Sequence, residues 1–276
     1  MTFGGDTAES YYDEGVTAAM KGDLNAAIQH FEQCIRKDNT YFQAYHQLGR
    51  CYYRLGKFKR AVKYIGQVVA LKPKVLAARV DLGFAFLGLG ETAHARTCFQ
   101  DVAAARPETA RAHYGLALCA FEEGQWDAAM ELAQQAINVG GAKFGAFLLL
   151  GRAAAAAGRH DVADLSLRRA EELMNKAVET NPDAPEGYYL RGEALFAQGQ
   201  YMKALENYRA AEDRAQKDRH YQAYDEHFSL VDMIGRRGLC LEHLGKAEAA
   251  REAGAQMLKL DPESKMGRRL AGETDP

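Results

Sequence analysis

The side chains able to do redox, metal or nucleophilic chemistry are few and scattered. Five cysteines stand at Cys34, Cys51, Cys98, Cys119 and Cys240, an odd number with no Cys-x-x-Cys pair. That usage fits a reducing compartment rather than a disulfide framework or a zinc site. Of the eight histidines, His220 and His227 share a helical face at a seven-residue interval. Two helical turns separate them, too far for one metal ion without ligands from another element. No phosphate-binding Gly-x-x-x-x-Gly-Lys-[Ser/Thr] loop, no Gly-x-Ser-x-Gly and no His-Glu-x-x-His occurs. The glycine-rich run from Gly83 to Gly90 lacks the phosphate-loop lysine. We therefore expect no enzyme, no metal and no cofactor.

The bulk composition is consistent with that expectation. With 35 basic and 37 acidic residues among 276, the formal charge is -2, which argues against a broad electrostatic grip on nucleic acid or an anionic membrane. Four serines, six prolines and 26 glycines exclude a Ser/Pro-rich disordered chain. The N-terminus has neither a basic nor an apolar signal region. The most apolar stretch, 145–158, is too short to span a bilayer and carries Arg152. A soluble, cytoplasmic protein without membrane insertion is expected.

A repeat supplies the elements. Gly22, Gly56, Gly90, Gly124 and Gly158 stand 34 residues apart, and Gly199 and Gly245 follow at 41 and 46. Five residues after each stands an alanine, at Ala27, Ala61, Ala95, Ala129, Ala163, Ala204 and Ala250. Seven before them stand Gly15, Gly49, Gly83, Ala117, Gly151, Gly192 and Gly238. The physical reading is a helix-turn-helix unit: each glycine of the first series breaks the helix where the chain must turn. The flanking small residues let two antiparallel helices approach closely. Pro73, Pro107, Pro182 and Pro262 stop the second helix. Cys51, Cys119 and Cys240 share a repeat position with Thr17, Ala85, Ala153 and Ala194, so they read as small core residues.

The pattern resembles the tetratricopeptide repeat, most completely over 42–75, which holds Tyr45, Leu48, Gly49, Tyr52, Ala61, Ile65, Val68 and Pro73. The resemblance implies an all-α, right-handed α-solenoid of about seven repeats. They are placed at 8–41, 42–75, 76–109, 110–143, 144–184, 185–230 and 231–264, between a head at 1–7 and a tail at 265–276. The last repeat matches least, with Arg237 and Gly254 where bulk is expected. The seven extra residues of repeat five equal about two helical turns, which predicts one long helix over 160–180. The twelve extra residues of repeat six predict a helix that projects past the solenoid, turns near 218–220 and returns. Tyr221, Tyr224, Phe228 and Val231 continue its apolar stripe.

In that family the first helix of each pair lines a concave groove. Carried over by position, the resemblance implies groove residues Tyr12, Val16 and Met20, then His46, Arg50, Tyr53 and Arg54. Val80, Phe84, Leu87, Arg111, Tyr114, Leu118 and Phe121 come next. Leu148, Arg152, Tyr189, Glu193 and Phe196 complete the set. Val16, Phe84 and Leu118 occupy a position that is often polar in the family, so a continuous apolar strip with arginines at its walls is expected. The lysine and asparagine that clamp an acidic chaperone tail in some members are missing.

The leading reading is a non-catalytic adaptor that binds a peptide or helix of a partner protein in this groove, with arginine–carboxylate pairs at the edge. A self-assembling component of a larger complex is the alternative, a homo-oligomer joined through its end repeats or the 205–228 projection. No nucleic-acid partner is expected, because no helix-turn-helix segment or basic domain precedes the repeats.

Overall fold

In the computed structural model, which describes residues 6–140, 143–217, 219–223 and 226–273, the chain forms two compact units, Met1–Gly141 and Ala142–Pro276. The first unit pairs α1 (Ala8–Met20) with α2 (Leu24–Lys37), α3 (Phe42–Arg54) with α4 (Phe58–Leu71), α5 (Leu76–Gly88) with α6 (Thr92–Ala105), and α7 (Ala110–Glu122) with α8 (Trp126–Gly140). Each helix packs chiefly on its neighbours in sequence, so the core grows by stacking one pair on the next. The chain is thus an all-α solenoid of helix-turn-helix repeats within this unit.

Three small-residue series build every pair. The turn glycines all adopt the left-handed conformation, with φ from 67° at Gly56 to 85° at Gly22, which a side chain would strain. The glycines seven residues earlier serve packing instead. A Cβ on Gly83 would stand 2.7 Å from the Phe99 ring, and one on Gly192 would stand 2.7 Å from Tyr208. The alanines of the third series are all buried, none more than 4% exposed. Aromatic and branched side chains such as Phe31, Ile65 and Phe99 then fill the space that the small residues leave, each with no exposed surface.

The second unit pairs α9 (Phe144–Ala156) with α10 (His160–Thr180), and α11 (Pro185–Ala197) with α12 (Tyr201–Glu212). Strands β1 (His220–Ala223) and β2 (Glu226–Ser229) follow, then α13 (Leu230–His243), α14 (Ala247–Leu260) and α15 (Lys265–Ala271). The long helix expected over 160–180 is α10, 21 residues in one run.

The projecting helix is not formed. α12 ends at Glu212, and the later part of the insertion is an antiparallel ribbon with Tyr221 opposite Phe228. Both rings face inward, each 3% exposed. A seven-residue interval puts two side chains on one face of a helix, but it also makes them cross-strand partners in this register. The polar stretch after Glu212 has no apolar stripe to bury, so nothing extends the helix. Tyr224 lies outside the described residues. Val231 sits on α13, whose first turn is closed by a reciprocal Ser229–Asp232 capping box.

The segment beyond Ser264, expected as a tail, begins with α15, which packs on α14. Gly254 gives it room: a Cβ there would meet the backbone of Ala271 and stand 2.8 Å from the Gly267 carbonyl oxygen. Arg237, the other departure in repeat seven, is ion-paired with Glu212 at 2.7 Å. Among the described residues no helix is long and apolar enough to cross a membrane.

Two glycine substitutions separate packing from propensity. Gly66, inside α4, has nothing within 4 Å of an added Cβ, so Gly66→Ala should stabilise the protein by about 0.5–1 kcal/mol through helix propensity. Gly83→Ala should destabilise it by about 1–3 kcal/mol through overpacking. Urea unfolding of the two variants checks both signs.

Candidate protein-interaction faces

In the first unit the residues expected to line a groove fall into two groups. Val80, Phe84 and Tyr114 are buried, at 2%, 5% and 7% exposure. The Phe84 ring meets Phe99 at 5.0 Å and Tyr114 at 6.2 Å, and the Arg111 guanidinium lies 5.0 Å from its centroid. Tyr12, Val16, Tyr53, Leu87, Leu118 and Phe121 are half-buried, and Met20 is exposed. Of the three residues read as one apolar strip, Val16 and Leu118 keep accessible surface, whereas Phe84 packs inward.

The basic residues of this face converge on an acid that the groove pattern did not include. Asp81, on α5, has one carboxylate oxygen 3.0 Å from His46 Nε2 and 3.8 Å from Arg50 Nε. Its other oxygen lies 2.9 Å from Arg111 Nη1. Helices α3, α5 and α7 are thereby tied together by charge as well as by apolar contact. Burial works against ionisation of Asp81, but the His46 hydrogen bond and the charges of Arg111, His46 and Arg50 outweigh it. Its carboxyl is held below the ordinary 3.8. The Arg50 side chain, at the outer edge of this cluster, is 49% exposed. Arg54 is half-buried and donates through Nη1 to the Ala19 carbonyl at 3.3 Å.

In the second unit the corresponding helix face is covered by the chain itself. Tyr189, on α11, stacks on Phe228 of β2 with centroids 4.1 Å apart. Glu193, one turn further on, accepts from the Tyr208 hydroxyl at 2.7 Å and pairs with Arg236 of α13 at 2.7 Å. The Arg236 guanidinium also lies 5.9 Å from the Phe196 centroid. Burial pushes the Tyr189 and Tyr208 phenols well above their ordinary value, the nearby Glu193 charge adding to it. Leu148 is buried on α9 and Arg152 half-buried. Glu193 belongs to the expected groove set, but only the fold shows that Arg236 and the Tyr208 hydroxyl engage it while the ribbon covers Tyr189.

The five thiols are free and buried. Burial pushes Cys34, Cys51 and Cys119 up to about 11 and Cys240 up to about 12, the condition of inert core thiols rather than nucleophiles. His220 and His227 lie on strands rather than on one helix. Among the described residues no group of three or more His, Cys, Asp or Glu side chains could hold a metal ion.

The Asp81 network makes a pH-dependent contribution. A depressed carboxylate stabilises the fold above its unfolded value near 3.8 and loses that contribution as pH falls through the lower folded value. Asp81→Asn should cost about 1–3 kcal/mol at neutral pH. The difference from wild type should shrink below about pH 4, read by urea melts at each pH.

Comparison with known proteins agrees with this architecture. Three tetratricopeptide-repeat family models match residues 80–145, 18–74 and 173–206. The crystal structure of MamA protein is 25% identical with a TM-score of 0.53, covering 64% of this chain and 97% of that one. A tetratricopeptide repeat protein from Parabacteroides merdae is 17% identical with a TM-score of 0.63, over 97% of this chain and 98% of its own. The DnaJ homolog subfamily C member 3 of Gallus gallus is 25% identical over 146 residues, 48% of this chain but only 29% of the chicken protein. The family matches together span more than half of the sequence, and with the left-handed turn glycines and the stacked helix pairs they make this chain a member of the tetratricopeptide-repeat family.

Proposed function

We propose that the chain is a non-catalytic interaction scaffold whose first unit holds a segment of a partner protein on the face formed by α1, α3, α5 and α7. The observation that carries this reading is the pairing of half-buried apolar side chains, Val16, Leu87, Leu118 and Phe121, with the exposed Arg50. Apolar area would supply affinity, and the exposed Arg50 guanidinium would orient an acidic group of the partner. The equivalent positions on α11 are engaged by the ribbon and by Arg236, which favours the first unit as the docking face. Inert, buried thiols and the absence of a metal-ligating cluster among the described residues fit a binding role. Self-assembly through a projecting 205–228 helix loses its basis, because that segment folds back as α12 and the ribbon.

Affinity capture from native lysate, with the full chain as bait, tests this reading. The variant Arg50→Glu/Leu87→Glu changes accessible residues and leaves the buried Phe84 in place. Partners held by wild type should fall at least tenfold with the variant, whose circular dichroism spectrum should remain that of the folded helical chain even though charge reversal beside Asp81 lowers its melting temperature. Equal capture by both would refute a docking role for this face.

A further inference from the structure

The 34-residue period is broken twice, by seven residues in repeat five and by twelve in repeat six. A solenoid needs neither insertion. In the structure both come to the same place. The last two turns of α10 and the residues Arg214, Gln216, Arg219, Tyr221 and Ala223 wall one cleft of about 760 Å³, with the first turn of α11 also lining it. It lies entirely within the second unit and on different residues from the face proposed above.

The chemistry of that cleft is specific. Leu173, Ala177, Pro185 and Ala223 give it an apolar floor, and Lys176, Arg214 and Arg219 bring three cations to its lining. Among the described residues none of the three has a carboxylate partner. Arg214 is held by carbonyl oxygens, donating to Pro182 at 2.8 Å and to Ala210 at 2.7 Å, so its charge is fixed in place but not neutralised. The Arg219 guanidinium lies 5.2 Å from the Tyr221 ring centroid, and the Tyr221 hydroxyl accepts from the Gln216 backbone N–H at 2.7 Å. Asp183 and Glu186 also line the cleft, so among the described lining residues the cations exceed the acids by one. β1 borders it through Tyr221 and Ala223 and, among the described residues, has only β2 as a strand neighbour, so its other edge has no described strand beside it.

From this convergence we infer that the cleft is a second docking site, which takes an extended acidic peptide segment of a partner protein as a third strand beside β1. Main-chain hydrogen bonds to the open edge would supply affinity. Lys176 and Arg219 would select glutamate or aspartate side chains on the peptide.

The test uses the full chain and a fluorescein-labelled octapeptide of alternating valine and glutamate, read by fluorescence anisotropy. This peptide should bind at least tenfold more tightly than its valine–lysine counterpart. The exposed pair Lys176→Glu/Arg219→Glu should weaken it at least tenfold with the melt unchanged, while Arg50→Glu/Leu87→Glu should leave it unaltered. N-methylation of alternate peptide amides should weaken binding to a similar extent. Any of four results would overturn the inference: no binding at millimolar peptide, equal binding of both charge types, equal binding of the N-methylated form, or displacement by inorganic phosphate at the peptide's own concentration, which marks a simple anion site.

Discussion

At the crossing of α5 and α6 the backbone of Gly83 lies directly against the ring of Phe99, and Gly192 meets Tyr208 in the same way in the second unit. Because there is no Cβ in between, two helices approach closely enough for a large ring to be wholly enclosed, as it is for Phe31, Phe99 and Tyr208. Burying such a ring is worth about 1.5–3 kcal/mol; three helix pairs gain it, and Ile65 and Leu167 take the ring's place in two others. The left-handed turn glycine delivers the second helix to this contact, and the buried alanine after it clears the way. Those three small residues carry the architecture, and the larger ones can vary around them.

A core built from neighbouring pairs tolerates additions at helix ends, because a longer helix or loop there does not disturb the crossing. The chain uses that freedom only in its second unit. Two added turns lengthen α10, and the segment after α12 folds back as a ribbon whose Phe228 stacks on Tyr189. The two units therefore present their first helices differently. On α3, α5 and α7 the apolar side chains remain partly accessible around Asp81 and its cations. On α11 the equivalent side chains are partnered by the chain itself, with Glu193 neutralised by Arg236 beneath the aromatic stack.

The helix pairs were legible because glycine and alanine spacing records a backbone requirement that nothing else satisfies. Gly22 and Gly56 must turn left-handed, and Gly83 must vanish beneath a ring; both demands are written one residue at a time. The ribbon was not legible. Tyr221 and Phe228 are seven apart, an interval compatible with either a helix face or a hairpin pair, and only the loss of apolar pattern after Glu212 hinted at the second. Nor could spacing reveal Asp81. Its three basic neighbours come from positions 35 and 31 residues before it and 30 after it, and their meeting depends on how successive pairs stack. The repeat position of Phe84 faces the groove in the family, but here Phe99, Tyr114 and Arg111 pack against its ring.

A ribbon closes the Tyr189 face of α11, while the face of α3, α5 and α7 stays partly accessible. Native-state hydrogen exchange over 220–223 and 226–229 tests this arrangement most directly. The inter-strand bonded amides of the ribbon should be protected nearly as strongly as those of α11, because Tyr221 and Phe228 pack into the same core. Exchange there as fast as in an unfolded chain, with α11 still protected, would leave the Tyr189 face open and contradict the account.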